Sequence, residues 1–268
     1  MSATFTGQAI LITGASEGIG RALALELAHD CPRLTLVARN RERLESLAGQ
    51  CRELGAEVCT VVADLANEQE CLRAVHQGLA RFGTLEMLVN NAGITMWSRF
   101  DAIADYGVFE QVMCVNFLSA MHCTRAALPA LKAARGLVVA VASLAGLNGV
   151  PERTAYAASK HAMVGFFESL RIELAGSGVD VTIVAPDFVV SEIHRRATGP
   201  DGQPLGYSPM NEPSILTAEE CARMMRRALA CRQRLLITSL RGRLGRFVKP
   251  LLPRLLDRVA ARAIRLRR

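Results

Sequence analysis

Tyr156 and Lys160 stand four residues apart in the sequence, a spacing that can support acid–base chemistry. On an α-helix, residues i and i+4 share one face, so the ammonium group of Lys160 can lie beneath the phenol of Tyr156. An isolated tyrosine ionises with a pKa of about 10, which is too high for proton transfer near neutral pH without a neighbouring cation. The pair alone would also fit a solvated helix face, so other features must decide its role.

A glycine-rich turn follows the first apolar run of the chain and opens the first helical pattern. Glycines at 14, 18 and 20 permit a tight turn, close approach of a pyrophosphate and packing of the helix against the strand. Backbone N–H groups at the start of the helix can then bind the phosphates. The turn therefore predicts a dinucleotide site, with contacts from Thr13, Gly14, Ser16, Gly18, Ile19 and Gly20.

The end of the second predicted strand should select between the two dinucleotides. An acidic residue there would bind a ribose 2′-hydroxyl, whereas this chain has Ala38 followed by Arg39. A guanidinium group forms bidentate bonds to phosphate oxygens, so Arg39 favours NADP(H), with NAD(H) as the alternative. Glu17 argues against NADP(H), because a carboxylate close to the 2′-phosphate would repel it.

Short apolar runs alternate along the chain with longer segments that repeat apolar residues every three or four positions. Seven strands are predicted at 9–13, 34–38, 57–63, 85–90, 137–142, 180–185 and 234–238. Six helices are predicted between them at 18–29, 41–54, 69–82, 105–132, 155–175 and 218–231. This order predicts an α/β fold of Rossmann type, a doubly wound parallel sheet with helices on both faces. Every motif falls at the carboxyl ends of strands, where such sheets bind ligands.

Composition and length favour one catalytic domain at 1–240. The chain has 268 residues, of which 50% are hydrophobic and 21% charged, as in ordinary globular proteins. A loop rich in proline and glycine at about 187–216 is predicted to be a substrate lid. The eight cysteines are scattered without ligand spacing, which predicts reduced thiols and no metal site. We expect a cytoplasmic location, because no leader or membrane-spanning run is evident.

From about residue 6 to residue 238, the chain resembles the classical short-chain dehydrogenase/reductase family. The matching motifs are the glycine turn, Asp64-Leu65, Asn90-Asn91-Ala92-Gly93, Asn116, Ser143 and Tyr156-x3-Lys160. The resemblance implies that Asp64 binds the adenine and that the segment 90–93 supports the sheet and the cofactor. The cofactor contacts implied in this way are Asp64, Leu65, Asn91, Ala92, Gly93, Tyr156, Lys160, Pro186, Val189 and Ser191.

The resemblance also implies a catalytic group made of Asn116, Ser143, Tyr156 and Lys160. In ketone reduction, Tyr156 would donate the proton and Ser143 would hold the carbonyl oxygen. Lys160 would favour the ionised phenol and bind the nicotinamide ribose, and Asn116 would hold a water that links Lys160 to solvent. Oxidation of an alcohol reverses these roles, with Tyr156 as the base.

A few residues near the site leave alternatives open. Asp187 stands where family members usually have glycine, so it could alter substrate choice or be a tolerated loop substitution. Trp97 and Phe100 follow the segment 90–93 and either line an apolar pocket or anchor their loop. His161 and His194 could touch the substrate, but they are interpreted as surface or packing residues.

The last part of the chain, 241–268, is a basic amphipathic tail. It holds ten basic residues and one acid, a net charge of +9, whereas the preceding 240 residues carry −2. Leucines and valines recur there at helical spacing, with a second helix expected to begin near Pro250. The tail could dock on its own domain, contact a sister subunit, or associate peripherally with an anionic membrane. Nucleic-acid binding is not expected, because few aromatic residues are interleaved.

Together these features predict an NADP-dependent oxidoreductase that interconverts a ketone or aldehyde and an alcohol. The small-molecule substrate is predicted to be apolar, such as a steroid-like, retinoid-like or long-chain carbonyl compound. Two alternatives are a 3-oxoacyl-carrier-protein reductase and an NADP-binding regulatory or scaffold protein without catalysis. A homodimer or homotetramer is expected from the resemblance.

Overall fold

The computed structural model describes residues 5–265, in which seven strands alternate with α-helices. The strands are β1 (Ala9–Thr13), β2 (Arg33–Ala38), β3 (Glu57–Val62), β4 (Met87–Asn90), β5 (Leu137–Val141), β6 (Asp180–Ala185) and β7 (Leu235–Ile237). The α-helices are α1 (Gly18–Ala28), α2 (Arg41–Glu53), α3 (Glu68–Phe82), α4 (Gly107–Met113), α5 (Ser119–Ala134), α6 (Thr154–Glu173), α7 (Ala218–Ala230), α8 (Leu240–Leu251) and α9 (Pro253–Arg265). The predicted alternation of strands and helices is confirmed.

All seven strands form one parallel sheet in the order β3-β2-β1-β4-β5-β6-β7. The chain first winds outward from β1 to β3 and then returns to place β4 on the other side of β1. This reversal leaves a crevice at the carboxyl ends of β1 and β4, which is where doubly wound sheets bind ligands. The Rossmann-type fold expected from the sequence is confirmed.

Both faces of the sheet are covered, which explains the near-continuous apolar character of the strands. Successive strand residues point to opposite faces. Ile10 and Ile12 pack on the side of α1, α2 and α7, where Leu23 is fully buried. Leu11 packs on the side of α3, α5 and α6, where Phe167 is fully buried.

The single helix predicted at 105–132 is corrected to α4 and α5 joined by a π-helical turn at Cys114–Leu118. The wider turn carries Asn116, whose side chain is fully buried and hydrogen-bonded to Ile94 and Ser159. An apolar repeat of three to four residues cannot distinguish this local widening from a regular α-helix.

The tail forms a helical hairpin of α8 and α9, and its second helix begins at Pro253 rather than near Pro250. Leu252 leaves the helical region, with φ of −135° and ψ of 60°, because a following proline disfavours that region. Pro253 then opens α9 at the position where a missing N–H costs least. Residues 266–268 of the predicted tail lie outside the described residues. Each helix within 5–265 is too short or too polar to span a bilayer.

Candidate active site

A cavity of about 510 Å³ lies along the carboxyl ends of β1 to β6. Of the residues predicted from the sequence, it is lined by Gly14, Ser16, Gly18, Ile19, Arg39, Asp64, Leu65, Asn91, Ala92, Gly93, Ser143, Tyr156, Lys160, Pro186, Val189 and Ser191. Folding therefore gathers in one cavity residues that are up to 177 positions apart in the chain, between Gly14 and Ser191. Thr13, Gly20 and Asn116 lie behind its wall.

Thr13 and Gly20 hold the glycine turn against the sheet. The hydroxyl of Thr13 accepts hydrogen bonds from the backbone N–H groups of Asn91 and Ala92, and it donates to the carbonyl of Val89. A Cβ at Gly20 would overlap the carbonyl oxygen of Gly14 and the side-chain nitrogen of Asn91, so only glycine lets α1 approach the turn this closely. Both residues shape the site from behind.

Gly14 and Gly18 have positive φ angles of 63° and 53°, which residues with a side chain rarely adopt. A Cβ at Gly14 would lie 2.7 Å from the Cα of Ala92, and one at Gly18 would lie 3.2 Å from the Cβ of Ser191. The turn thus passes between two neighbouring loops while the N-terminus of α1 faces the cavity. Backbone N–H groups at such a helix start suit the pyrophosphate of a dinucleotide, so these residues fit that cofactor.

Arg39 borders the cavity after β2 and makes no ion pair with any residue in the described range. The charge on Glu17, which argued against NADP(H), is offset by two arginines. One carboxylate oxygen of Glu17 lies 2.7 Å from Arg43 and the other lies 2.7 Å from Arg196. The local charge around Arg39 is therefore positive, as binding of a phosphate group requires.

Asn116 connects the loop after β4 to α6, the helix that carries Tyr156 and Lys160. Its Oδ1 accepts from the N–H of Ile94 at 2.8 Å, and its Nδ2 donates to the carbonyl of Ile94 and to Ser159 Oγ. The side chain is thus engaged within the protein, close to the Gly93 and Lys160 that line the cavity. The water-holding role implied for Asn116 stays a prediction.

Ser143, Tyr156 and Lys160 share one wall of the cavity. Ser143 follows β5 and caps a short 3₁₀ turn, where its hydroxyl accepts a hydrogen bond from the N–H of Ala145. Tyr156 and Lys160 lie one turn apart on α6, and the ammonium nitrogen is 5.7 Å from the centre of the phenol ring. The helical arrangement predicted for this pair is the one observed.

Lys160 is buried, and its Nζ donates to the carbonyl of Val141 at 2.8 Å. Burial disfavours the charged form and lowers the pKa of Lys160 to about 7. Among the described residues, the only other hydrogen-bond acceptor of Lys160 Nζ is the sulfur of Met163, at 3.5 Å. This lysine can therefore change its charge near neutral pH.

Arg153, which was not predicted from the sequence, is a buried arginine that lines the cavity. Its guanidinium carbon lies 4.9 Å from the ring centre of Tyr156, 4.6 Å from that of Trp97 and 5.7 Å from that of Phe188. One of its terminal nitrogens is 3.2 Å from Nδ1 of His194. The available signal was the position of Arg153 three residues before Tyr156, immediately before α6 begins.

The aromatic residues after β4 anchor their loop rather than line the cavity. Trp97 donates its indole N–H to Glu152 and packs against Arg153. Phe100 is exposed and packs edge-on against Tyr106. His194 is buried and lines the cavity, which fits a packing residue and excludes an exposed surface position. The interpretation of His161 as a packing residue fits its hydrogen bond to the carbonyl of Ala157.

Apolar residues that line the cavity come from three other segments. They are Leu144 and Val150 after β5, Phe188 and Ile193 in the predicted lid, and Leu256, Val259 and Ala260 in α9. The predicted lid is connected to the loop after β4 by backbone hydrogen bonds, including one from the N–H of Trp97 to the carbonyl of Thr198. The predicted lid and the tail therefore both contribute apolar residues to the cavity wall.

Asp187 is the anchor of the tail. Its carboxylate accepts hydrogen bonds from Ser239 Oγ and from the guanidinium of Arg241, both at 2.6 Å. Burial alone would raise the pKa of Asp187, but the bonds from Arg241 and Ser239 outweigh burial and lower it. Gly242 packs against Leu144 so closely that a Cβ there would lie 2.6 Å from a leucine methyl. The structure thus accounts for an acid at position 187, because its carboxylate binds Ser239 and Arg241.

The sheet order, the glycine turn at its crevice and the shared wall of Ser143, Tyr156 and Lys160 define a dinucleotide-binding protein of Rossmann type. A sequence profile of the family described as short chain dehydrogenase matches residues 8–200. The chain belongs to the short-chain dehydrogenase/reductase family, whose members are nicotinamide-dependent oxidoreductases.

Several curated proteins resemble this chain. It is 45% identical over 188 residues to 11-beta-hydroxysteroid dehydrogenase 1A of Arabidopsis thaliana, a match that covers 70% of this chain and 54% of that protein. It is 41% identical over 218 residues to 11-beta-hydroxysteroid dehydrogenase-like 4A of the same plant, covering 81% and 71%. A Dictyostelium discoideum protein, dehydrogenase/reductase SDR family protein 7-like, is 31% identical over 262 residues, covering 95% and 81%. The chain spans about half the length of the first of these relatives.

Two solved structures share the fold over most of this chain. A short chain dehydrogenase/reductase from Burkholderia phymatum in complex with NAD has a TM-score of 0.81 and 25% identity, covering 94% of this chain and 95% of that one. An alcohol dehydrogenase from Thermococcus sibiricus complexed with 5-hydroxy-NADP has a TM-score of 0.76 and 26% identity, covering 86% and 95%. One of these two structures thus holds NAD and the other holds a derivative of NADP.

Proposed function

We propose that this protein is an NADP-dependent oxidoreductase that interconverts a ketone or aldehyde and an alcohol, with Tyr156 as the general acid or base. The observation that carries the proposal is the convergence of Ser143, Tyr156 and Lys160 on the cavity that also contains the glycine turn. When bound, the nicotinamide supplies or accepts the hydride. The chain must then supply one proton and hold the substrate oxygen.

Each of the three side chains has a distinct task in carbonyl reduction. Tyr156 donates its phenolic proton to the carbonyl oxygen, and Ser143 donates a hydrogen bond that holds the same oxygen in place. Charged Lys160, one helical turn from Tyr156, favours the phenolate that remains. In alcohol oxidation the phenolate accepts the hydroxyl proton, and the roles are reversed.

The preference for NADP(H) rests on Arg39. Its guanidinium borders the cavity after β2, and the carboxylate of Glu17 is paired with Arg43 and Arg196. A 2′-phosphate at this place would meet cations and no unpaired carboxylate among these residues. NAD(H) has no comparable acidic partner for its ribose hydroxyl at position 39.

An apolar, steroid-like substrate is supported by the cavity wall and by the relatives. The substrate side is lined by Leu144, Val150, Phe188 and Ile193 together with residues of α9. Curated relatives with 41% and 45% identity are named as 11-beta-hydroxysteroid dehydrogenases or as similar to them. A large apolar ketone would bury its rings against this wall, at about 25 cal/mol for each Å² removed from water.

Turnover tests the proposal directly. NADPH oxidation should be followed by absorbance with steroid ketones, long-chain ketones, acyl-carrier substrates and a small water-soluble ketone. We expect Tyr156→Phe to lower kcat by about 10²–10⁴-fold while cofactor affinity is retained, because only the proton donor is lost. The matched control is Tyr106→Phe, which removes the hydroxyl of an exposed tyrosine elsewhere. Substantial activity in Tyr156→Phe would refute the proposed mechanism.

A further inference from the structure

The α8–α9 hairpin exposes large apolar side chains in two helical stripes. They are Leu240, Leu244, Phe247 and Leu251 on α8, and Leu252, Leu255 and Val259 around the start of α9. Each of these side chains is between 49% and 78% exposed. The spacing of three and four residues places the members of each stripe on one side of the helix. Contiguous exposed apolar surface of this kind marks an interaction site.

Positive charge accompanies the apolar stripes. Arg246, Arg254, Arg258 and Arg262 are exposed and hold no ion pair within the described range. Asp257 is the only acidic residue of the hairpin there. An apolar stripe beside an arginine-rich face is the pattern of helices that lie in a membrane interface. Each such cation near an anionic lipid surface contributes about 1 kcal/mol to binding.

The same hairpin forms a wall of the cavity. Gly242 and Gly245 of α8 and Leu256 and Ala260 of α9 line it from inside. Val259 belongs to both surfaces, since it lines the cavity and is 56% exposed on the apolar stripe. Val259 therefore links the exposed apolar stripe of α9 to the inside of the cavity.

We propose that the outer face of the α8–α9 hairpin binds an anionic lipid surface and that apolar substrates enter the cavity from this surface beside Val259. The lipid contact stands on the hairpin alone, whereas substrate entry rests on the function proposed above. Binding would bury the two apolar stripes while the arginines meet lipid headgroups. Asp187 and Arg241 hold the hairpin at its β7 end, so a lipid-bound hairpin stays part of the cavity wall.

A second copy of the chain is a less suitable occupant of this face. A two-fold interface places the same surface of both copies together. The four exposed arginines of each copy would then face a similar cluster, with one aspartate on each side to compensate. Like charges brought together in this way oppose association. An anionic lipid headgroup complements the same charges.

Vesicle co-sedimentation of the full-length protein tests the lipid contact. We expect binding to phosphatidylglycerol-containing vesicles, weaker binding to pure phosphatidylcholine vesicles, and weakening by salt. The double variant R254Q/R258Q should lower vesicle affinity about thirtyfold, because two cations are removed. The matched control is R223Q/R227Q, which removes two exposed arginines from α7 and should bind like the unmodified protein.

A second variant, F247S/L251S, probes the apolar stripe without disturbing the core, since both side chains are more than 70% exposed. It should lose vesicle binding while keeping its circular dichroism spectrum and its NADPH affinity. The lipid inference is overturned if the unmodified protein binds neither kind of vesicle, or if R223Q/R227Q weakens binding as much as R254Q/R258Q. A dimer that F247S/L251S dissociates, without any vesicle binding, would show that a second copy covers the face.

Turnover separates this inference from the proposed function. Anionic vesicles should increase turnover of a membrane-partitioned ketone by the unmodified protein and should do so much less for R254Q/R258Q. Turnover of a small water-soluble ketone should be the same for both proteins. Vesicle binding without any NADPH turnover would overturn the proposed function and leave the lipid contact intact. NADPH turnover without vesicle binding would overturn the lipid contact alone.

Discussion

Replacing Lys160 by methionine is expected to stabilise the cofactor-free protein while it removes activity. The two side chains have similar length, so methionine can occupy the buried space beside Val141. The lysine, in contrast, is buried with an ammonium group whose pKa is lowered from 10.5 to about 7. Desolvation of this group lowers the free energy of unfolding at every pH at which the lysine of the unfolded chain is protonated, which means below about pH 10.5.

The change in the free energy of unfolding caused by Lys160→Met depends on pH. Between about pH 7 and pH 10.5 the unfolded chain binds more protons at this lysine than the folded protein, so the free energy of unfolding rises with pH in that window. Below about pH 7 the full cost is present, and a difference of about 3.5 pKa units corresponds to about 5 kcal/mol. Methionine also leaves the carbonyl of Val141 without its donor, which costs about 1–3 kcal/mol. Lys160→Met should therefore gain about 2–4 kcal/mol near pH 6 and be less stable than the unmodified protein above about pH 10.

Urea denaturation of the cofactor-free protein at several pH values measures this difference. The control is Lys132→Met, which replaces an exposed lysine on α5 and should shift stability little at any pH. The sign of the Lys160→Met effect should reverse near about pH 9, where the two contributions cancel. A difference between Lys160→Met and the unmodified protein that is the same at all pH values would refute the reasoning.

Three other substitutions test separate parts of the site. Arg39→Ala should weaken NADPH binding about tenfold or more and leave NADH binding nearly unchanged in a fluorescence titration, because a charge-assisted bond to the 2′-phosphate is lost; equal losses for both would contradict the role of Arg39. Asp187→Asn should weaken the interaction with Arg241 and make proteolysis of the tail about tenfold faster. An unchanged cleavage rate would show that this interaction does not anchor the hairpin. Arg153→Met should lower the free energy of unfolding, measured in urea, by about 2 kcal/mol, because buried contacts with three aromatic rings are lost. A change below about 0.5 kcal/mol would contradict a stabilising role for these ring contacts.

The fold was predictable because its signals are local. Strand and helix periodicity depend on neighbouring residues, and a regular strand–helix order leaves few topologies for a parallel sheet with right-handed crossovers. The position of Tyr156 over Lys160 was predictable for the same reason, since a helix fixes which residues share a face. The π-helical turn around Asn116 was not predicted, because a π-helical turn is only about one residue longer than an α-helical turn.

The roles of Arg153 and Asp187 could not be predicted in this way. Arg153 contacts Trp97, which is 56 residues away in the chain, and Asp187 contacts Arg241, which is 54 residues away. Neither contact leaves a periodic or spacing signal. In the sequence, the residues around Arg153 look like an ordinary helix start, and those around Asp187 look like an ordinary loop.

By itself, the sequence determined the Rossmann-type sheet, the glycine turn and the helical pairing of Tyr156 with Lys160, because each follows from the conformational preferences of short segments. Tertiary structure alone decided that Lys160 is desolvated, that Glu17 is paired with two arginines and that the tail is a wall of the cavity. Charge states and cavity walls depend on which distant segments exclude water from a side chain. That information exists only once the chain has folded.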